Sequence, residues 1–127
     1  MDLISCSIIL PIHNEEANLH DLFQSIDAFI IEYPSVSFEV IAVNDGSIDS
    51  STSILNSIQL KCPLHIVTHT CNKGYGAALR SGFHHSSMDW VFFMDSDLQF
   101  DIQSLKRFWP FIEHYDAIIG YRKQRAD

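Results

Sequence analysis

The chain has 127 residues, 46% of them hydrophobic and 19% charged, with a formal net charge of -8. That is the composition of a folded globular domain, short for a complete two-substrate enzyme, and its 8 Lys and Arg against 16 Asp and Glu exclude a nucleic-acid backbone as a natural partner. Cys6, Cys62 and Cys71 are odd in number and show no CxxC spacing, so neither a disulfide framework nor a zinc ribbon is indicated, and a reducing, cytoplasmic setting is expected. No basic leader is seen, and no apolar run approaches the ~18 residues of a membrane span. The chain stops at "KQRAD", which reads as the N-terminal part of a longer protein, with residues 1–127 forming one continuous domain.

The first apolar run, "SIILPI", is continuous rather than alternating, as a strand covered on both faces should be. After it, Leu19, Leu22, Phe23, Ile26 and Ile30 recur at helical spacing, with Asn14 as a candidate cap. A second run, "FEVIAVN", precedes a shorter stripe of Ile54, Leu55 and Ile58 with Asp49 ahead of it. "LHIVTH" is a third strand candidate, followed by the helix-opening loop "NKGYG", and "WVFFMD" is a fourth. Ile102, Leu105, Phe108 and Trp109 predict a last helix, capped by Asp101 and kinked or ended by Pro110, before a fifth strand candidate, "DAIIGY". Alternation of this kind predicts an α/β, Rossmann-like, mainly parallel sheet with helices on both faces. Ligands then bind beyond the carboxyl ends of the strands, where "HNEE", "NDGSID", "TCNKGYG", "DSDLQ" and "GYR" all fall.

Asp95 and Asp97 sit at i and i+2 after a buried run, with Gln99 at i+4. These oxygen donors suit a hard divalent cation that keeps positions open for phosphate and water; a turn and helix-cap device explains the same residues without a ligand. Asp45 is a candidate acceptor for the N–H groups of a nucleobase or for ribose hydroxyls, and Gly46 lets the chain turn after it; a plain Asx-turn is the alternative. The loop with Lys73, Gly74 and Gly76 lacks the third glycine of a dinucleotide fingerprint, since position 79 is Leu79, and lacks a Walker ending. It remains a helix N-terminus with one ammonium, suited to negative charge, or a simple tight turn. Glu15 is placed to face a ligand and Glu16 to oppose the helix dipole. His65 and His69 lack a third ligand for zinc, and His84 and His85 read as a solvated helix end.

"SIILPIHNEEANL", "VIAVNDGSIDSS", "NKGYGAALRSGF" and "MDSDLQ" together resemble glycosyltransferase family 2, most closely its branch similar to dolichol-phosphate mannose synthase and bacterial polyprenyl-phosphate glycosyltransferases. The resemblance implies a GT-A fold, truncated after its nucleotide-binding half, and an inverting, metal-dependent glycosyltransferase of hexosyltransferase type. It implies a nucleoside-diphosphate sugar donor (UDP or GDP), Mg²⁺ or Mn²⁺, and a polyprenyl-phosphate or glycan acceptor. Position by position it assigns Pro11, His13 and Glu15 to the first nucleotide loop, and Val43 and Asp45 to base and ribose. Asp95, Ser96 and Asp97 match the Asp-x-Asp motif, with Asp97 and Gln99 as metal ligands and Asp95 touching metal and nucleotide; Arg122 lies near the diphosphate. His13 replaces a usual Tyr and Asn44 the first acid of a frequent Asp-Asp-Gly-Ser, which leaves the choice of nucleotide open. The general base is expected downstream of Asp127, and any membrane contact, at the cytoplasmic face, through segments beyond it.

Two other readings remain. A sugar nucleotidyltransferase would carry a Gly-rich basic loop where this chain has the acidic "PIHNEE". A non-catalytic nucleotide-binding or scaffold domain, dimerising through exposed Phe and Trp of the last helix, is distinguished from an enzyme only by donor turnover.

Overall fold

The computed structural model describes residues 4–121. Strands β1 (Ser5–Ile12), β2 (Ser37–Asp45), β3 (Leu64–His69) and β4 (Trp90–Phe93) form a parallel sheet in the order β3-β2-β1-β4. The connections carry helices α1 (Leu19–Ile31), α2 (Ser51–Ser57) and α3 (Tyr75–His85). The register sets Ile12 beside Asn44 and Asp45 beside His69, while β4 ends at Phe93 beside Ile9, and all four parallel strands direct their carboxyl ends to one rim.

The central strands read as unbroken apolar runs because both of their faces are covered. Ile8, Leu10 and Ile12 face Leu22, Ile26 and Phe29 of α1, Leu55 of α2, and Ile102 and Leu105 beyond β4. On the opposite face, Ile9, Ile41 and Val43 meet Ala78 of α3 in a smaller core. There α3 lies close to β1 at Gly82, where a Cβ would come within 2.3 Å of Ile9 Cγ2. That contact holds the helix, and with it the loop before Tyr75, against the sheet.

The last predicted helix is instead two 3-10 segments, Ile102–Arg107 and Trp109–Phe111. Pro110 supplies no N–H and disfavours α backbone at Trp109, so the chain takes tighter turns, with the Phe108 N–H on the Leu105 carbonyl. Asp101 caps the first segment, accepting from the Gln103 N–H at 3.0 Å. Trp109 turns inward against Phe29, Tyr33 and Phe38, so it is not the exposed dimer contact expected from the sequence.

The stretch "DAIIGY" forms no strand. No layer covers it among the described residues, and Ile119 and Tyr121 are 89% and 81% exposed, so pairing at the sheet edge would gain little burial. Asn14 does not cap α1, which begins at Leu19; it adopts φ +52° and bonds the loop after β2 instead. Ser50 is the residue ahead of α2, while Asp49 accepts from the Ser51 N–H at 2.9 Å.

Adding a methyl at Gly82 should therefore strain the α3–β1 contact. Gly82→Ala is expected to cost about 1–3 kcal/mol, read as a lower urea midpoint at unchanged slope. An unchanged midpoint would show that Ile9 gives way freely.

Candidate functional site

Parallel strands deliver all four of their following loops to the same rim. The order turns round at β1, with β2 and β3 on one side and β4 on the other, and this opens a crevice beyond the strand ends. A cleft of about 560 Å³ lies there, lined by residues of all four loops. Pro11, His13 and Glu15 follow or end β1, Asp45 ends β2, and Asp95 and Asp97 follow β4.

Asp45 organises the β2 side. Its carboxylate is 3% exposed, and Oδ1 accepts from His69 Nδ1 at 2.8 Å and from the Lys73 N–H at 2.8 Å. Oδ2 accepts from the Gly74 N–H at 2.9 Å. Burial pushes this carboxyl up, but the His69, Lys73 and Gly74 bonds together outweigh burial and hold it below its ordinary value. Gly46, at φ +67°, makes the approach of the β3 loop possible, because a Cβ there would meet Asn72 N at 2.3 Å. Asn44, 1% exposed, donates to Thr52 Oγ1 and accepts from the Ser47 N–H, so its amide shapes the turn from within.

The β1 loop is bound to the same turn. His13 Nδ1 lies 2.8 Å from the Asp45 carbonyl, and the Asn14 side-chain carbonyl accepts from the Ile48 N–H. The Glu15 N–H donates to Ser51 Oγ, and its carboxylate accepts from Asn18 Nδ2 at 2.8 Å. Glu16 does oppose a helix dipole, though that of α2 rather than of its own helix: its Oε2 accepts from the Ser50 N–H at 2.9 Å.

On the far side β4 releases the chain at Met94, whose N–H still reaches the Ile9 carbonyl at 3.3 Å. Ser96 Oγ donates to the Pro11 carbonyl at 2.9 Å, which ties the acidic tip to β1. Asp97 accepts from the Gln99 N–H at 3.1 Å, and Leu98 takes φ +66° between them. Asp95 and Asp97 have no ion-pair partner among the described residues. Tyr75 is 52% exposed at the start of α3; partial burial first, then the nearby Asp95 carboxylate, push its phenol up.

Seven predicted site residues thus share the cleft: Pro11, His13, Glu15, Asp45, Asp95, Ser96 and Asp97. Val43 does not line it, being fully buried in the smaller core. Lys73 contributes its backbone N–H to Asp45, while its exposed side chain is not part of the lining. Gln99 is exposed and also outside the lining, because the turn at Leu98 carries it past the rim. Arg122 lies outside the described residues. Sequence reasoning missed Asn72, Tyr75 and His69. An Asn two residues before Gly74 was the available signal for Asn72; nothing local marked His69, which meets Asp45 only across the β2–β3 pairing.

Residues 7–127 match the family model described as Glycosyl transferase family 2. The chain belongs to that family. Among its relatives is the undecaprenyl-phosphate 4-deoxy-4-formamido-L-arabinose transferase of Pseudomonas aeruginosa, 32% identical over all of this chain and 38% of that protein. The Sodalis glossinidius enzyme of the same name is 31% identical, over all of this chain and 40% of that protein. The chain therefore spans about two fifths of the length of these curated relatives. Among solved structures, S. aureus TarS 1-349 in complex with UDP-GlcNAc superposes with TM-score 0.73 at 26% identity, covering 87% of this chain and 31% of that one. The mannosyltransferase PcManGT from Pyrobaculum calidifontis, solved with GDP-Man and Mn²⁺, shares the fold at TM-score 0.64 and 21% identity, over 72% of this chain and 27% of that one. The architecture of this family 2 chain is GT-A: a parallel sheet between helices with its cleft at the strand tips.

Two buried carboxyls make the stability of this family 2 domain acid-sensitive. Asp45 and Glu39, whose ordinary values are 3.8 and 4.5, are both lowered in the folded state; at Glu39 burial again opposes, and bonds from Ser7 and Ser87 then prevail. A lowered carboxyl contributes stability that is complete above its ordinary value and is lost as pH falls through the folded value. Urea midpoints should hold from neutral pH down to the ordinary values of 4.5 and 3.8 and fall as pH drops below them. Asp45→Asn should be less stable at neutral pH and fall less steeply; an acid limb identical to the parent's would remove Asp45 from this account.

Proposed function

We propose that this chain is the donor-binding part of a metal-dependent, inverting glycosyltransferase that takes a sugar from a UDP- or GDP-sugar to a polyprenyl phosphate or a glycan. The observation that carries the reading is the placement of Asp95 and Asp97 across one cleft from His13, Glu15 and Asp45. The span between a carboxylate pair and a buried hydrogen-bond acceptor suits a ligand with phosphate at one end and a base at the other. The names of the relatives and the UDP-GlcNAc bound to TarS support the substrate classes.

The donor set fits a hard divalent cation. Asp95 and Asp97 are acceptor-only groups of like charge, two residues apart and without a protein cation beside them. These two would hold Mg²⁺ or Mn²⁺, leaving the other positions to diphosphate and water; Gln99, off the rim, is not assigned. The ion supplies Lewis-acid stabilisation of the charge that develops on the departing diphosphate. Asp45 accepts from the base edge, and the opening turn of α3, at Gly74 and Tyr75, presents its positive end to the phosphates. The base that deprotonates a hydroxyl acceptor is assigned downstream of Asp127, while a polyprenyl phosphate arrives with its oxygen already ionised and asks less of one.

UDP or GDP with Mn²⁺ should raise the melting temperature; at a hundredfold excess over the dissociation constant the gain is about 2.7 kcal/mol. Asp97→Ala should abolish the Mn²⁺-dependent part of the shift and spare the metal-free part. A full Mn²⁺ response in that variant would reject the carboxylate pair as the metal site.

A further inference from the structure

Leu98 stands in a backbone conformation that its side chain resists. Its φ is +66°, and a bulky L residue enters the left-handed region only where its surroundings force it there. The side chain is 41% exposed and joins neither apolar core, so packing does not account for the strain.

The force comes from the two flanks. Upstream, Met94 is buried in the main core and Ser96 Oγ is held on the Pro11 carbonyl at 2.9 Å. Downstream, the Phe100 ring packs back on Phe92 with centroids 5.7 Å apart, and Ile102 is 1% exposed in the same core. Asp97, Leu98 and Gln99 alone join these anchors, and within them the chain reverses from the rim towards the strand it has just left. A left-handed residue in the middle makes that reversal. It also brings the Gln99 N–H to the Asp97 side chain, where Oδ1 accepts it at 3.1 Å. This bond restrains the rotation of the carboxylate, and in that rotation Asp97 lines the cleft with Asp95. With a negative φ at Leu98 the following peptide would turn away, and Asp97 would lose the bond that aims it.

We infer that Leu98 is a positioning residue for the metal: its left-handed turn, rather than its apolar side chain, holds Asp97 towards the cleft before an ion arrives. This rests on the donor-site reading above. A carboxylate free to rotate loses that freedom when an ion binds, which weakens the complex; one already held loses little. Strain of this kind persists only where the surrounding structure over-determines it, and the anchored flanks of the β4 tip do so.

Two substitutions separate the turn from the side chain. Leu98→Ile keeps the volume and the apolar surface but branches at Cβ, which disfavours the left-handed region; Leu98→Asn discards the apolar surface and accepts that region readily. Mn²⁺ binding is read from the loss of the free-ion electron paramagnetic resonance signal, and metal-free binding of UDP and GDP by calorimetry. Leu98→Ile should weaken Mn²⁺ binding about tenfold or more and leave metal-free nucleotide affinity unchanged, whereas Leu98→Asn should keep both. The reverse order, with Mn²⁺ affinity retained in Leu98→Ile and lost in Leu98→Asn, would assign the effect to packing and overturn the inference. Parallel loss of Mn²⁺ and nucleotide affinity in Leu98→Ile overturns it too, because the residue would then serve the fold at large. If Leu98→Ile does not fold, Leu98→Asn decides: retained Mn²⁺ affinity upholds the turn and lost affinity rejects it. A parent protein that binds no Mn²⁺ would instead remove the metal-dependent donor-site reading, and the inference with it.

Discussion

A buried carboxylate must find donors or be driven back to neutrality, and at the end of β2 that requirement shapes the whole rim. Asp45 finds its donors in the loop that follows β3, so the loop folds back over the strand end rather than out into solvent. Gly46 removes the Cβ that would block this approach. With the β3 loop fixed, α3 begins at Tyr75 beside the cleft, which Tyr75 lines together with Asp95. One ionised group thus sets the position of the loop and the start of the helix.

The charge of the molecule works against its proposed ligand, and the proposed metal would offset that repulsion locally. A chain of net charge -8 repels a nucleoside diphosphate, and the cleft adds Glu15, Asp45, Asp95 and Asp97 to that repulsion. Among the described residues no Lys or Arg lines the cleft. Asp45 and Glu15 are partly neutralised by the N–H and amide donors they hold. Asp95 and Asp97 have no ion-pair partner among the described residues, and a divalent ion there would reverse the sign of the field where phosphate would sit. Asp45 and Glu15 thus hold the loops through the donors they accept, and Asp97 accepts one N–H, from Gln99, within its own turn.

What could be read in the sequence were the features fixed by local pattern. Continuous runs such as "SIILPI" and "FEVIAVN" mark strands buried on both faces, and the stripe from Leu19 to Ile30 marks α1, because burial imposes those periods directly. The acidic tip after Met94 was legible for the same reason: charge cannot continue a buried strand. Features settled between segments were not. Asn14 resembles a helix cap until the loop after β2 is beside it, and Trp109 resembles an exposed aromatic until Phe29 and Phe38 are seen to enclose it. "DAIIGY" has the composition of a strand, but a strand also needs a partner edge and a covering layer, and composition carries neither. Val43 fits the family pattern by position and shares its strand face with Asp45, but it lies one step below the rim, covered by Ala78 in the smaller core.

His13 shows how a substitution within a motif can be absorbed by geometry. Its Nδ1 meets a backbone carbonyl, which only accepts, so the proton must sit there. Its Nε2 meets the amides of Asn72 and Asn14, at 3.2 and 3.3 Å. Both amides have fixed orientations, since the carbonyl of Asn14 accepts from the Ile48 N–H and that of Asn72 from the Gly74 N–H; each therefore offers its NH₂ to the ring. Nε2 is left as an acceptor, and the imidazole ties together the loops after β1, β2 and β3 within its own plane. Contacts in the plane of a ring leave its faces free. A histidine that spends both nitrogens on the protein thus joins three loops with its edge, and none of those bonds uses its faces.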